Sequence, residues 1–182
     1  MDIEDLWTLI ETARSEVAVF GEADGGDGGT AERAKLLLAR RPAEDIVRAE
    51  QLLWDLMVDS YRAPLWAAAY TINGGCSDDG FDYFRGWLIV QGRSVFDRAV
   101  ADPDTLADHP TVRAAAEKGI ELEDEETLHI VWNAHLAATG KELPPDAFSI
   151  RYPALDDTWA FDFDDAAEIT RRLPRLAALF LA

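Results

Sequence analysis

Between Ile46 and Ser60 the apolar positions step by threes and fours: Ile46, Ala49, Leu52, Leu53, Leu56 and Met57, with Ser60 closing the row. That spacing puts them on one face of an α-helix and fits no strand. The rhythm recurs over residues 3–19, where Leu6, Ile10, Ala13 and Val17 repeat, Trp7 widens the face and Asp2 can cap. Period-two alternation is almost absent along the chain. The reading is therefore all-α: a single compact domain over residues 1–182, built from about eight to ten mostly short helices, with irregular loops toward the C-terminus.

Turn residues divide the pattern. Glycines and aspartates crowd Gly21–Thr30, which predicts a flexible loop before a short helix at Ala31–Arg40. Pro42 suits the first position of the helix running to Tyr61. Pro64 opens Leu65–Ile72, which is apolar all round and so expected to be buried on most sides. Helices are predicted over Asp78–Gln91, Arg93–Ala101, Thr111–Lys118 and Thr127–Thr139, with Gly119 and Gly140 as stops. Asp104 is expected to cap a single turn. Leu143–Asp157 has no regular pattern beyond a short extended piece at Phe148–Tyr152. Asp162 or Asp164 is expected to cap a helix ending at Arg172, and Pro174 to begin a last one ending at Ala182.

Composition narrows the partners. The chain carries 35 acidic and 17 basic residues, a formal net charge of −18. A field of that sign repels phosphate backbones and anionic lipid surfaces, so neither direct nucleic-acid binding nor membrane association is expected. It suits a protein partner with a basic surface, although acidity also serves solubility alone. No apolar run reaches the roughly 18 residues of a membrane span. The acidic opening "MDIEDLWTLIETA" lacks the basic n-region of a signal peptide, and one cysteine forms no internal disulfide. A reducing cytoplasm is the expected compartment.

The stretch "NGGCSDDGFDYFRGWLIVQGR", Asn73–Arg93, holds most of the residues that could carry chemistry. Its first part has a structural reading. A helix ends near Ile72, Gly74 and Gly75 turn the chain, and the Ser77 hydroxyl caps the next helix by accepting an amide hydrogen bond from position 79 or 80. Asp78 and Asp79 then stand where the helix dipole favours negative charge. The functional reading is a cleft built from Asn73, Cys76, Ser77, Asp78, Asp79, Tyr83, Arg85 and Trp87. Phe81, Phe84 and Leu88 form the apolar stripe of the same helix.

Specific chemistries fare poorly there. A phosphate cradle would lack the P-loop lysine and would face two aspartates. The aspartates do not have EF-hand spacing, so no metal and no cofactor is assigned. A helix N-terminus would lower the Cys76 thiol pKa, but the neighbouring carboxylates oppose the thiolate. His129 and His135 lie about 240° apart around a helix and do not share a face; His109 precedes Pro110 in a turn. No recognised catalytic signature is present.

The block running from "LWAAAYTINGGCSDDGFDYFRGWLIVQGR" to "SVFDRAVADPDTLAD" resembles the signature of a bacterial family, domain of unknown function 4240. The opening "LWTLIETAR" and the helix "PAEDIVRAEQLLWDLMVDSYRAPLW" fit it too. The resemblance covers about residues 1–135, with residues 140–182 as a less similar extension. It implies a small, mostly helical, soluble protein and brings no activity with it.

Three functional expectations follow. The first is a non-catalytic cytoplasmic protein acting through protein–protein contacts. The second is a small-molecule-binding protein or enzyme using the cleft around Asn73–Trp87. The third is an acidic DNA mimic, whose carboxylates at Glu121–Glu126 and Asp156–Asp165 would imitate phosphates. Oligomeric state is not legible.

Overall fold

The computed structural model describes residues 1–20 and 28–181. Those residues form ten α-helices and three short 3-10 helices, with no strand among them. The first helix, α1 (Ile3–Phe20), opens on a reciprocal cap: the Asp5 amide donates to Asp2 Oδ1 at 2.9 Å and the Asp2 amide to Asp5 Oδ2 at 3.0 Å. Its buried face carries Leu6, Trp7, Leu9, Ile10 and Ala13. Helix α2 (Gly28–Leu38) packs against α1. The expected Gly21–Thr30 loop falls largely outside the described residues, but its last three residues belong to α2. Val17 sits against Gly29, and Thr30 is buried, so tertiary contact outweighs the poor helix propensity of glycine there.

Helix α3 (Ala43–Asp59) buries the predicted stripe of Ile46, Ala49, Leu53, Leu56 and Met57. Pro42 precedes the helix with extended backbone (φ −54°, ψ 141°) instead of opening it. Helix α4 (Ala63–Asn73) has Pro64 in its first turn and ends on Gly74 at φ 68°, a left-handed conformation that glycine adopts without a Cβ penalty. Its alanines, Leu65 and Ile72 are buried, whereas Trp66 and Tyr70, one turn apart, share a half-buried face. Helix α5 (Asp78–Val90) lies at the centre of the molecule. It packs against α1, α3 and α4, and every residue from Phe84 to Val90 is buried.

Gly92 separates α5 from α6 (Arg93–Ala101). A 3-10 helix at Pro103–Asp108 follows, capped by Asp102, whose Oδ1 accepts the Asp104 amide at 3.2 Å. Asp104 was the expected cap. It is instead buried, and its carboxylate accepts the amides of Arg175 and Leu176 at 2.9–3.1 Å. A residue from the middle of the chain thus satisfies the N-terminus of the last helix, where free amides need acceptors. Helix α7 (Pro110–Lys118) ends at Gly119 and α8 (Ile130–Thr139) at Gly140, both as expected. The first turn expected for α8 is a separate 3-10 helix, Glu126–His129.

Residues 141–165 form an irregular strap. The extended piece at Phe148–Tyr152 forms no strand, because Ser149 pairs with a side chain: its amide donates to Gln51 Oε1 at 2.8 Å and its carbonyl accepts from Gln51 Nε2 at 3.1 Å. Further on, the Tyr70 hydroxyl donates to Asp164 at 2.8 Å. Asp165 caps α9 (Ala166–Arg172), accepting the amides of Ala167 and Glu168; the cap therefore falls one residue later than the expected Asp164. Helix α10 (Pro174–Phe180) ends two residues before the expected stop and packs on α4, α7 and α9.

Candidate functional site

The Asn73–Trp87 segment is held by a local cap and by partners remote in sequence. Ser77 Oγ accepts the Gly80 amide at 3.1 Å, the cap expected from the sequence. Asn73 clamps the backbone of Leu122, accepting its amide at 2.9 Å and donating to its carbonyl at 3.4 Å. The Asp124 amide donates to the Tyr83 carbonyl at 3.0 Å. This loop crosses α5 at Gly86, where a Cβ would stand 2.4 Å from the Asp124 carbonyl oxygen. Only glycine admits that approach without a shift of backbone.

The acidic residues of the segment stay outside. Asp78 and Asp79 are exposed in the first turn of α5. Tyr83 is half-buried, and its phenol pKa is raised by the charge of Glu125 first, then by burial and Asp79. Cys76 is half-buried, and its thiol pKa is pushed up to about 12 by burial first and then by Glu123, against an opposing pull from Arg85. The thiolate is scarce near neutrality, so the arrangement does not activate a nucleophile.

Arg85 and Trp87 lie inside the packing. Arg85 is fully buried, the one arginine of the described residues in that position. It donates to the carbonyls of Met57 and Phe81 and pairs with Asp82. Its Cζ lies 4.7 Å from the ring centroid of Phe81, 5.2 Å from Tyr61 and 5.3 Å from Tyr152 of the strap. Charge-assisted hydrogen bonds and ring faces together offset the desolvation of the guanidinium. Trp87 is 1% exposed and packs on Phe84 and edge-on to His109. Burial lowers the His109 pKa, helped by Arg14 and Arg98.

The concave surface is built chiefly by other residues. A cleft of about 430 Å³ opens between α4 and the strap. Trp66 and Tyr70 form its helical wall with Cys76 beside them. Trp159, Phe161 and Phe163 face them from the strap. Three exposed aspartates, Asp156, Asp157 and Asp162, also line it, and none of its twelve lining residues is basic. Cys76 is the one member of the sequence-based set on this wall.

Two interactions fix the helical wall. The Trp66 indole N–H donates to the Cys76 carbonyl at 3.1 Å, and its ring stacks on Phe81 at 4.7 Å. A second cavity, of about 550 Å³, adjoins the first and shares Ala63, Leu155 and Asp156 with it. Together they make a groove along the corner between α3 and α4.

Sequence reasoning missed the aromatic wall of the strap. The signal was present in "WAFDF", Trp159–Phe163, where rings occupy every second position of a segment with no helical period. Trp159 closes the short 3-10 turn Asp157–Trp159, Phe161 and Phe163 follow in irregular chain, and the strap's remote anchors bring all three rings to the cleft beside α4.

The fold and site thus define an all-helical protein with a groove along one corner, of which the cleft between α4 and the strap is aromatic and acid-lined. The chain matches the family described as "Protein of unknown function (DUF4240)" over residues 1–136 and belongs to it. The matched residues supply the helical wall of the cleft, and the strap wall lies beyond them. No curated protein and no solved structure matches the chain. Among the described residues no helix is long and apolar enough to cross a membrane, and no group of three or more His, Cys, Asp or Glu gathers as a metal site would require.

Proposed function

We propose that this protein is a binding protein that seats a basic segment of a partner protein in the groove between α4 and the strap. One observation carries the reading: five aromatic rings and three carboxylates line a cleft of about 430 Å³ that has no basic side chain on its walls. Ring faces and carboxylates both attract cations. The formal charge of −18 adds long-range steering toward a basic partner. The adjoining cavity of about 550 Å³, lined by Arg62 and Arg151 as well as by Asp59 and Asp156, gives the uncharged flanking residues of such a segment a place to lie. The protonated state favoured for Cys76 supports binding over covalent chemistry at this wall.

The test is calorimetric titration with a short synthetic peptide of alternating arginine, lysine and glycine, at low and at raised salt. Saturable binding that weakens with salt but persists is expected, because screening removes steering and leaves the ring contacts. No binding at low salt, or binding abolished by modest salt as for diffuse charge attraction, contradicts the reading.

A further inference from the structure

The groove's own chemistry narrows the cation, an inference that rests on the binding reading just given. The protein carries two internal guanidinium sites of one design. At the first, the Arg85 guanidinium lies 4.7–5.3 Å from the rings of Phe81, Tyr61 and Tyr152 and pairs with the Asp82 carboxylate. At the second, Arg172 Cζ lies 4.8 Å from Trp159 and 4.9 Å from Phe161, with its Nε 2.9 Å from Glu168 Oε2. Each site joins flat ring faces to a carboxylate. The cleft offers the same pair of features: rings on both walls and aspartates on the strap wall.

We infer that the cleft recognises the guanidinium of an arginine side chain on the partner protein, in preference to a lysine ammonium. Guanidinium is planar, stacks on aromatic rings and loses little hydration on doing so, while its edge donates paired hydrogen bonds to a carboxylate. Ammonium is a compact, strongly hydrated charge, and an aromatic wall replaces that hydration poorly. Asp157 and Asp162 are the carboxylates assigned to the incoming group. Asp156 is the more committed, since its Oδ1 already accepts the Thr158 amide at 2.9 Å and hydroxyl at 2.7 Å, whereas Asp162 Oδ1 accepts one amide, that of Asp164 at 3.0 Å.

Arg172, which lies over the cleft's Trp159 and Phe161 rings, is the positive charge to weigh against this. It is not among the residues lining the cleft, and Glu168 pairs with it and with Arg171. Those two arginines hold the Glu168 carboxyl down to about 2, so it stays ionised over the physiological range and offsets one of their two positive charges. Arg172 lies over the Trp159 and Phe161 rings and its charge is felt at Asp156, but the three aspartates of the cleft outnumber the one positive charge that Glu168 leaves over.

The experiment titrates the full chain with two matched peptides, glycine-spaced, one carrying arginine and one carrying lysine at the same positions. Ethylguanidinium, ethylammonium and tetramethylammonium serve as competitors. Indole NMR signals of Trp66 and Trp159 report the place. The arginine peptide is expected to bind about tenfold tighter than the lysine peptide. It should shift both indole signals and be displaced by ethylguanidinium before either ammonium.

Equal affinity for the two peptides overturns the guanidinium preference and leaves the binding reading standing. Displacement by tetramethylammonium ahead of ethylguanidinium also overturns it, in favour of an alkylated ammonium. Ethylguanidinium binding as tightly as the arginine peptide overturns the partner-protein assignment in favour of a free small molecule. Failure of both peptides to bind overturns this inference and the binding reading together. Phe163→Leu, which removes one ring from the strap wall, should weaken the arginine peptide while leaving thermal unfolding close to that of the parent. An unchanged affinity in that variant counts against the cleft as the place.

Discussion

Two stretches of this chain mix aspartate with aromatic rings, and the fold uses them in opposite ways. In Asn73–Trp87 the polar groups are largely spent on the protein itself. Ser77 caps α5, Asn73 holds Leu122, and Arg85 is enclosed by three rings and its acceptors. In Leu155–Phe163 the rings stay half-buried and the aspartates stay exposed, turned to a cleft. Unusual composition thus marks difficult architecture in the first stretch and available surface in the second. The difference is one of partners: a side chain whose hydrogen bonds and faces are already taken has little left for a ligand.

The largest expected effect that could break this contrast is at Arg85. Arg85→Ala removes the donor to the Met57 carbonyl and leaves a gap beneath Tyr61 and Tyr152, at a cost of about 3 kcal/mol or more in chemical denaturation. Arg172→Ala, which removes a half-buried α9 side chain from the strap's Trp159 and Phe161 rings, should cost clearly less. If the two were equal, the claim that the first stretch is architecture and the second is surface would lose its energetic basis.

A smaller stability effect is expected at the turn. Ser77→Ala should lower stability by about 1 kcal/mol, read from the denaturation midpoint, because the Gly80 amide loses its acceptor. A neutral outcome would mean that the cap is dispensable and the serine is free for other use.

The smallest structural perturbation sharpens the comparison at the one residue the two stretches share. Cys76 belongs to the first by sequence and to the cleft wall by position. With its thiol pushed up to about 12, alkylation by iodoacetamide at pH 8 should run at least about a hundredfold slower than for an open thiol. The sign follows from the direction: a raised pKa keeps the thiol protonated through neutrality, so the rate should still be climbing above pH 10. A rate that levels off near pH 9 would instead mark an activated cysteine and restore the nucleophile reading.

How much of this was readable beforehand depends on the range of the interactions. Helices with three-and-four spacing were legible because the stripe is local: Ile46, Ala49, Leu53, Leu56 and Met57 are all buried as their spacing requires. So were Gly119, Gly140 and the Ser77 cap, which act within a turn of their own position. Arg85 was not legible as a core residue, because its burial depends on a carbonyl 28 positions away and on a ring in the strap.

The strap was least legible of all. Its course is set by Gln51–Ser149 and Tyr70–Asp164, contacts spanning 98 and 94 residues, and no local period announces them. Asp104 teaches the same lesson. It read as the cap of its own turn and serves instead as the cap of a helix some 70 positions later.

The measurement that bears most directly on the account removes the same charge from each stretch. Asp78→Asn with Asp79→Asn, and Asp157→Asn with Asp162→Asn, change net charge equally and touch exposed side chains in both cases. Each double variant is titrated with the arginine peptide at fixed salt. The account predicts that the strap pair loses about tenfold or more in affinity, while the α5 pair changes by no more than about twofold, the share due to long-range steering. Equal losses in the two variants, or the greater loss at Asp78 and Asp79, would contradict it.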